Sequence, residues 1–216
     1  MTIALVYLIA ALCFVYALKG LAHPTSAQRG LIAGVIGMTL TIATTLSLPI
    51  VQVYLPIALA VLAGGVVGAF IALRIQMTAL PQLVAAFHSL VGLAAVMVAM
   101  TALYQPDVYG ILTADGTIAA SSLIEVGIGA TIGAATFSGS VIAFGKLQGI
   151  LSGAPLVFRG QHALNALFAC MMIGFLALFV LHDATAAFFW LAVVLALILG
   201  VTLIVPIGGA DMPVVV

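Results

Sequence analysis

The sequence contains very little charge. Five Lys or Arg and five Asp or Glu occur in 216 residues, so charged residues make up 5% of the chain. A soluble domain carries about 25% charged residues, and they form much of its water-facing surface. This chain has too few for such a surface, and 66% of its residues are hydrophobic. The shortage of charge excludes an ordinary water-soluble fold. The zero net charge gives no indication of nucleic-acid binding.

Cysteine and the common ligand-binding motifs are also scarce. The only two cysteines, Cys13 and Cys170, lie in apolar stretches, where an isolated cysteine behaves as a small hydrophobic residue. The sequence has no P-loop, no G-x-G-x-x-G fingerprint after a strand and no H-E-x-x-H zinc motif. We therefore predict that this chain by itself binds neither a metal nor a nucleotide.

Long apolar stretches are what the sequence has instead. A membrane-spanning helix needs about 20 residues, with a range of about 17–25. Continuous apolar runs favour helices over barrel strands, whose residues alternate in polarity. Residues 1–216 are thus predicted to form one all-α, polytopic transmembrane bundle. Its seven spans are Ile3–Leu18, Leu31–Leu48, Leu55–Leu73, Leu83–Leu103, Ile118–Phe144, Leu164–Leu181 and Ala184–Ile207.

The basic residues predict the orientation of this bundle. Lys19, Arg29, Arg74, Lys146 and Arg159 all fall in or beside loops on one side of seven alternating spans, with Lys146 and Arg159 placed in the fifth loop. Cytoplasmic loops carry an excess of Lys and Arg. The N-terminus is therefore expected outside and the C-terminus in the cytoplasm.

His88 is one of two ionisable residues within the predicted spans. Such residues are costly in lipid and are functional-site hypotheses by default. By helical rise His88 lies roughly 8 Å from the cytoplasmic end of its span. Ala85, Ser89 and Gly92 lie near its face of the helix, and small residues let a neighbouring helix approach. Two interpretations remain: a structural histidine bonded to a neighbouring helix, or a group that transfers protons, since imidazole titrates near neutral pH.

Glu125, the second such residue, begins a stripe of small and hydroxyl residues on the fifth span. Gly129, Gly133, Thr136 and Ser140 follow it at helical spacing. One interpretation is close helix packing through the G-x-x-x-G pair of Gly129 and Gly133. The other is the wall of a narrow hydrated path, which would explain the carboxylate.

The predicted depths separate Glu125 from His88. In a bilayer core about 30 Å thick, the two lie roughly 12 Å apart along the membrane normal, too far for direct proton transfer. Ordered water and hydroxyl groups would have to bridge them. The hydroxyl groups available are those of Thr131, Thr136, Ser138 and Ser140.

The C-terminal residues predict the start of another helix. Gly208 and Gly209 end the seventh span, and Asp211 then precedes Met212 and Pro213 in the manner of a helix N-terminus. We therefore expect the chain to be part of a longer protein.

Three segments resemble the beta subunit of proton-translocating NAD(P) transhydrogenase. They are residues 86–95 (AFHSLVGLAA), 137–147 (FSGSVIAFGKL) and 208–216 (GGADMPVVV). Leu5–Pro24 resembles the first span of that subunit. The resemblance covers essentially the whole chain, and its motifs are long and unusual.

The resemblance implies a function and a set of site residues. The family couples hydride transfer between NADH and NADP+ to proton movement across a membrane. His88, Glu125 and Ser140 match its proton-path residues, and Thr136 and Ser138 are expected to assist. Asp211 matches an aspartate near the cytoplasmic face, where a soluble NADP-binding domain would dock.

The resemblance also implies partners that this chain lacks. The full family domain has nine spans and a soluble NADP-binding domain, so the chain alone is not expected to transfer hydride. NADP and NAD are the expected cofactors of the full enzyme. An alpha subunit, a dimer of alpha–beta units and a location in the bacterial inner membrane are also implied.

Two other classes of function remain open from the residues alone. A stand-alone secondary transporter for protons or a small solute would need a midplane pocket and broken helices, and no inverted repeat is evident. In a purely structural membrane scaffold, His88 and Glu125 would be packed and inert.

Overall fold

The computed structural model describes residues 2–212, and within them the chain forms seven long helices. Each is long and apolar enough to cross a membrane, which confirms the predicted all-α polytopic fold. The helices are α1 (Thr2–Leu21), α2 (Ala27–Leu46), α3 (Tyr54–Arg74), α4 (Leu80–Tyr104), α5 (Ala120–Leu147), α6 (Gln161–Leu181) and α7 (Ala186–Ile204).

Several helices continue beyond the apolar stretches that predicted them. α2 begins at Ala27, four residues before the predicted span, and α5 ends at Leu147, three residues after it. As a result Arg29 lies in the first turn of α2. The assignment of Lys146 to a loop is wrong, since this residue lies in the last turn of α5. Hydropathy marks where apolar residues stop, whereas backbone hydrogen bonding decides where the helix stops.

Proline and glycine mark the helix ends where the backbone requires them. Pro81 occupies the first turn of α4, where its missing N–H costs nothing and its fixed φ suits the helix. Gly160, with φ +91°, precedes α6, and Gly116, with φ +78°, turns the loop before α5. The expected helix start at Asp211–Pro213 lies at the edge of the described residues, and residues 213–216 are outside them.

The chain divides into two compact units, Met1–Phe70 and Ile71–Val216. In the first, α1 packs against α2. A Cβ added to Gly20 would lie 2.6 Å from Gly30 Cα, so the two backbones nearly touch. The Ser26 hydroxyl donates to Gly20 O at 2.8 Å and fixes the turn between the helices.

In the second unit α4 packs on α5, α5 on α7, and α7 on α6. Phe179 and Phe189 are fully buried between α6 and α7, with ring centroids 5.6 Å apart. The starts of α4 and α6 and the ends of α5 and α7 meet at one end of this unit. There Gln82 Nε2 donates to Leu147 O at 3.3 Å. We call this the basic end, because it also carries Lys146.

The turn between α6 and α7 holds two non-glycine residues in the left-handed region. Asp183 has φ +46° and Ala184 has φ +61°, a conformation that costs a residue with a Cβ about 1–2 kcal/mol. We expect Asp183→Gly to raise the free energy of unfolding by about 1 kcal/mol, measured as a higher Tm in detergent. The control is Asp115→Gly, since Asp115 is equally exposed but lacks a positive φ. A similar Tm shift in both variants would contradict this explanation.

Candidate functional site

A cavity of about 260 Å³ lies between α4, α5 and α7 of the second unit. It is lined mainly by small residues, because glycine and alanine on α5 and α7 leave space that larger side chains would fill. The lining residues are His88 from α4; Ala135, Thr136, Gly139, Ser140 and Ala143 from α5; and Gly200, Leu203 and Ile204 from α7.

His88 is the ionisable residue of this cavity. Its side chain lines the cavity and is exposed within the described chain. No hydrogen bond joins the imidazole to any other described residue. The interpretation of His88 as a structural histidine required such a bond to a neighbouring helix. The geometry therefore leaves both ring nitrogens available to water or to a partner.

Thr136 and Ser140 face the same cavity from α5. Hydroxyl side chains within a helix usually bond to a backbone carbonyl one turn earlier. Among the described residues neither of these hydroxyls makes a hydrogen bond. The structure thus brings together three polar side chains from two helices that can all bind water.

Ser138 and Thr131 also lie on α5, but their hydroxyls donate hydrogen bonds to backbone carbonyl oxygens. Ser138 Oγ donates to Leu197 O of α7 at 2.8 Å, and the residue is 9% exposed. Thr131 Oγ1 donates to Gly127 O at 2.9 Å. The structure places Ser138 in the contact between α5 and α7 and not on the cavity wall.

The stripe of glycines also divides between two environments. A Cβ on Gly92 would lie 2.6 Å from both Gly133 O and Phe137 N, and a Cβ on Gly133 would lie 2.7 Å from Gly92 O. Gly92 and Gly133 therefore form the closest approach of α4 and α5. A Cβ on Gly129 would meet no atom within 4 Å in the described chain. This approach places His88 level with the middle of the cavity.

Glu125 lies apart from the cavity. Its side chain is exposed, as are those of its neighbours Ile124 and Ile128. Because Gly92 contacts both Gly133 and Phe137, His88 is level with a point about 14 residues further along α5 than Glu125, or roughly 21 Å by helical rise. This exceeds the separation of roughly 12 Å expected from the sequence. The difference arises because α5 has 28 residues and is longer than the assumed bilayer core.

The segment after α7 packs beside the cavity at the basic end. Met212 is fully buried and packs against Ala85 of α4 and Ala143 of α5. Ala143 also lines the cavity. Gly209 N donates to Gly153 O at 2.8 Å and ties this segment to the loop between α5 and α6. Asp211 is exposed beside Met212.

Sequence reasoning missed the role of Lys146, which is 8% exposed. Its ammonium donates to Val205 O and, at 2.8 Å, to Ile207 O. Both carbonyls lie just beyond the last residue of α7, next to the helix end that carries partial negative charge. A lysine in the last turn of one helix was the available signal, but its acceptors come from a different helix.

Comparison with known proteins identifies the family to which the chain belongs. The sequence matches the family model described as NAD(P) transhydrogenase beta subunit over residues 3–216. Two curated proteins named NAD(P) transhydrogenase subunit beta, one from Rhodospirillum rubrum and one from a specified strain of that organism, are each 52% identical over 210 residues. The alignments cover 97% of this chain but 45% of each relative, so the chain spans less than half their length. With its seven membrane-spanning helices, this chain is a membrane protein that belongs to the family of NAD(P) transhydrogenase beta subunits.

Proposed function

We propose that this chain is the proton-conducting membrane part of a transhydrogenase that couples proton movement to hydride transfer between NADH and NADP+. One observation carries the proposal. His88, Thr136 and Ser140 converge on one cavity at membrane depth, and none of them is bonded to another described residue. Polar groups inside a membrane are rare and mark ion or proton pathways.

The size of the cavity favours protons over a larger solute. Pockets for drug-sized ligands measure about 300–1,000 Å³, whereas this one measures about 260 Å³. A water molecule occupies about 30 Å³ in the liquid, so a short chain of waters fits. An imidazole can accept a proton at one nitrogen and release one from the other. The three side chains can thus hold water and relay a proton through His88.

Nucleotide chemistry requires parts outside the described helices. The cavity is too small for a dinucleotide, and its lining contains no Lys or Arg to bind a pyrophosphate group. We therefore propose that NADP and NAD bind in soluble domains of the full enzyme. The exposed carboxylate of Asp211, next to the buried Met212, is positioned to contact such a domain.

Coupling between the proton site at His88 and the nucleotide site then follows from thermodynamic linkage. If the protonation of His88 changes nucleotide affinity, nucleotide binding must change the proton affinity of His88 by the same factor. Met212 packs against Ala143 of the cavity wall, and Asp211 precedes it in the chain. The segment of Asp211 and Met212 is the proposed connection.

The exposed carboxylate of Glu125 supports a partner within the membrane. A charged side chain facing lipid is costly, and that of Glu125 is exposed among isoleucines. We propose that membrane helices of an alpha subunit cover this face, and that Glu125 serves as the outer entry of the path. A dimer of alpha–beta units in the bacterial inner membrane completes the proposed assembly.

The complete enzyme, reconstituted in sealed vesicles, tests the function. Hydride transfer should acidify or alkalinise the vesicle interior, as recorded with a trapped pH dye, and an uncoupler should abolish the signal. This chain inserted alone should conduct few protons. Rapid proton or solute flux through the chain alone would favour a stand-alone transporter instead. Hydride transfer without any proton movement would disprove the proposal.

A further inference from the structure

Two buried amides on α6 lack hydrogen-bond partners. Gln161 begins the helix and Asn165 follows one turn later, so both lie on the same face. Their side chains are 8% and 9% exposed. The oxygens Gln161 Oε1 and Asn165 Oδ1 are buried and accept no hydrogen bond from any described group. A buried polar atom without a partner is destabilising and calls for an explanation such as an ordered water or ion.

The helix contacts place these amides at the basic end. The rings of Phe179 and Phe189 pack together, and α6 and α7 run in opposite directions from there. Counting along both helices from this pair puts Asn165 level with Leu203. Gln161 then lies level with the carbonyls just beyond α7 that Lys146 binds.

We propose that Gln161 and Asn165 form a buried water-binding site at this level, between α6 and the ends of α5 and α7. The two amide oxygens accept hydrogen bonds from one or two waters. The ammonium of Lys146 has three N–H donors, two of which bind backbone carbonyls. The third is available to donate to a water of this site.

The chemistry of the surrounding groups selects water over an ion. An anion would be attracted by the ammonium of Lys146, but it has no N–H or O–H to donate and would leave both amide oxygens unsatisfied. A metal cation would be repelled by the buried ammonium of Lys146 at the same level. Water both donates and accepts, so it satisfies the amide oxygens and the ammonium together. Buried waters typically make about three such bonds.

This site is separate from the proposed proton path and does not depend on it. His88 and its cavity lie between α4, α5 and α7, whereas the amides belong to α6. Water in this site would bind the ammonium of Lys146, which also donates to the carbonyls just beyond α7. Its role is to satisfy a buried cation that has no carboxylate partner among the described residues.

The proposal is tested by whether replacing Asn165 with leucine raises or lowers the Tm. Leucine has nearly the shape of asparagine but no polar group. If Asn165 Oδ1 is truly unsatisfied, Asn165→Leu removes a penalty and raises the Tm. If the oxygen binds water, the same change loses a hydrogen bond, and the Tm of the complete enzyme should fall by up to about 2 °C. Gln148→Leu is the matched control, because Gln148 is exposed at the same end of the unit and should leave the Tm unchanged.

A second measurement covers the case in which Asn165→Leu does not fold. A high-resolution structure of the unmodified complete enzyme should show water density within hydrogen-bond distance of both amide oxygens. Gln161→Leu should remove part of that density and also lower the Tm. A higher Tm in either leucine variant, or protein donors occupying both oxygens, would overturn the proposal. Neither readout requires proton transfer, so failure of the proton path would leave this test unaffected.

Discussion

Replacing His88 by asparagine is expected to lower coupled proton translocation by at least about 100-fold. Asparagine is polar and of similar size, but it does not titrate. Positioned acid–base groups contribute about 10²–10⁴-fold to the rates of steps they catalyse. Because linkage ties the two processes together, forward hydride transfer should slow with it. The measurement is the initial rate of proton movement and of hydride transfer in vesicles that contain the complete enzyme.

His162→Asn provides the matched control. His162 lies on the exposed side of the first turn of α6, outside the cavity. The same chemical change there should leave both rates unchanged. The proposed role of His88 fails if His88→Asn translocates protons at the native rate while both variants are equally abundant in the membrane. It also fails if the two variants slow the enzyme to the same extent.

Gly92→Ala is expected to cause a large loss of stability in the second unit. The added Cβ would lie 2.6 Å from Gly133 O and from Phe137 N. Both neighbours are backbone atoms, so no side-chain rotation can relieve the clash. Overpacking costs typically about 1–3 kcal/mol, and separating two backbones places this case near 3 kcal/mol. The result should be a clear drop in Tm and in the yield of folded protein.

Gly129→Ala is the matched control for this prediction. Gly129 lies on α5 one turn before Gly133, and its added Cβ would meet no described atom within 4 Å. Alanine stabilises a helix interior by up to about 1 kcal/mol relative to glycine. We therefore expect an unchanged or higher Tm for Gly129→Ala. Equal losses in both variants would mean that the two glycines serve the helix in the same way, and would refute the close approach at Gly92.

Most of the fold was predictable from the sequence because lipid imposes a simple rule. In a membrane every backbone polar group must be bonded within the chain, so long apolar runs become helices. The exact ends of the helices were less predictable. α5 continues past its apolar stretch to include Lys146, whose ammonium binds carbonyls just beyond α7. Hydropathy carries no information about such a long-range acceptor.

The candidate site was predictable in part. His88 was identifiable because histidine is costly at membrane depth, and helical spacing placed Thr136 and Ser140 on one face of α5. The sequence could not separate Ser140 from Ser138, which are two residues apart. The rotation of α5 against its neighbours decides that one faces the cavity while the other bonds to Leu197. That rotation depends on packing across three helices.

The contact between Lys146 and α7 has a consequence for the order of assembly in the membrane. Its two acceptors lie 59 and 61 residues further along the chain. At synthesis rates of about 5–20 residues per second, α5 would wait roughly 3 to 12 s for them. During that interval the ammonium can remain hydrated at the membrane surface, with its aliphatic stem buried. The hydrogen bonds of Lys146 therefore form only after α7 has inserted, so the final packing of α5 follows the insertion of α7.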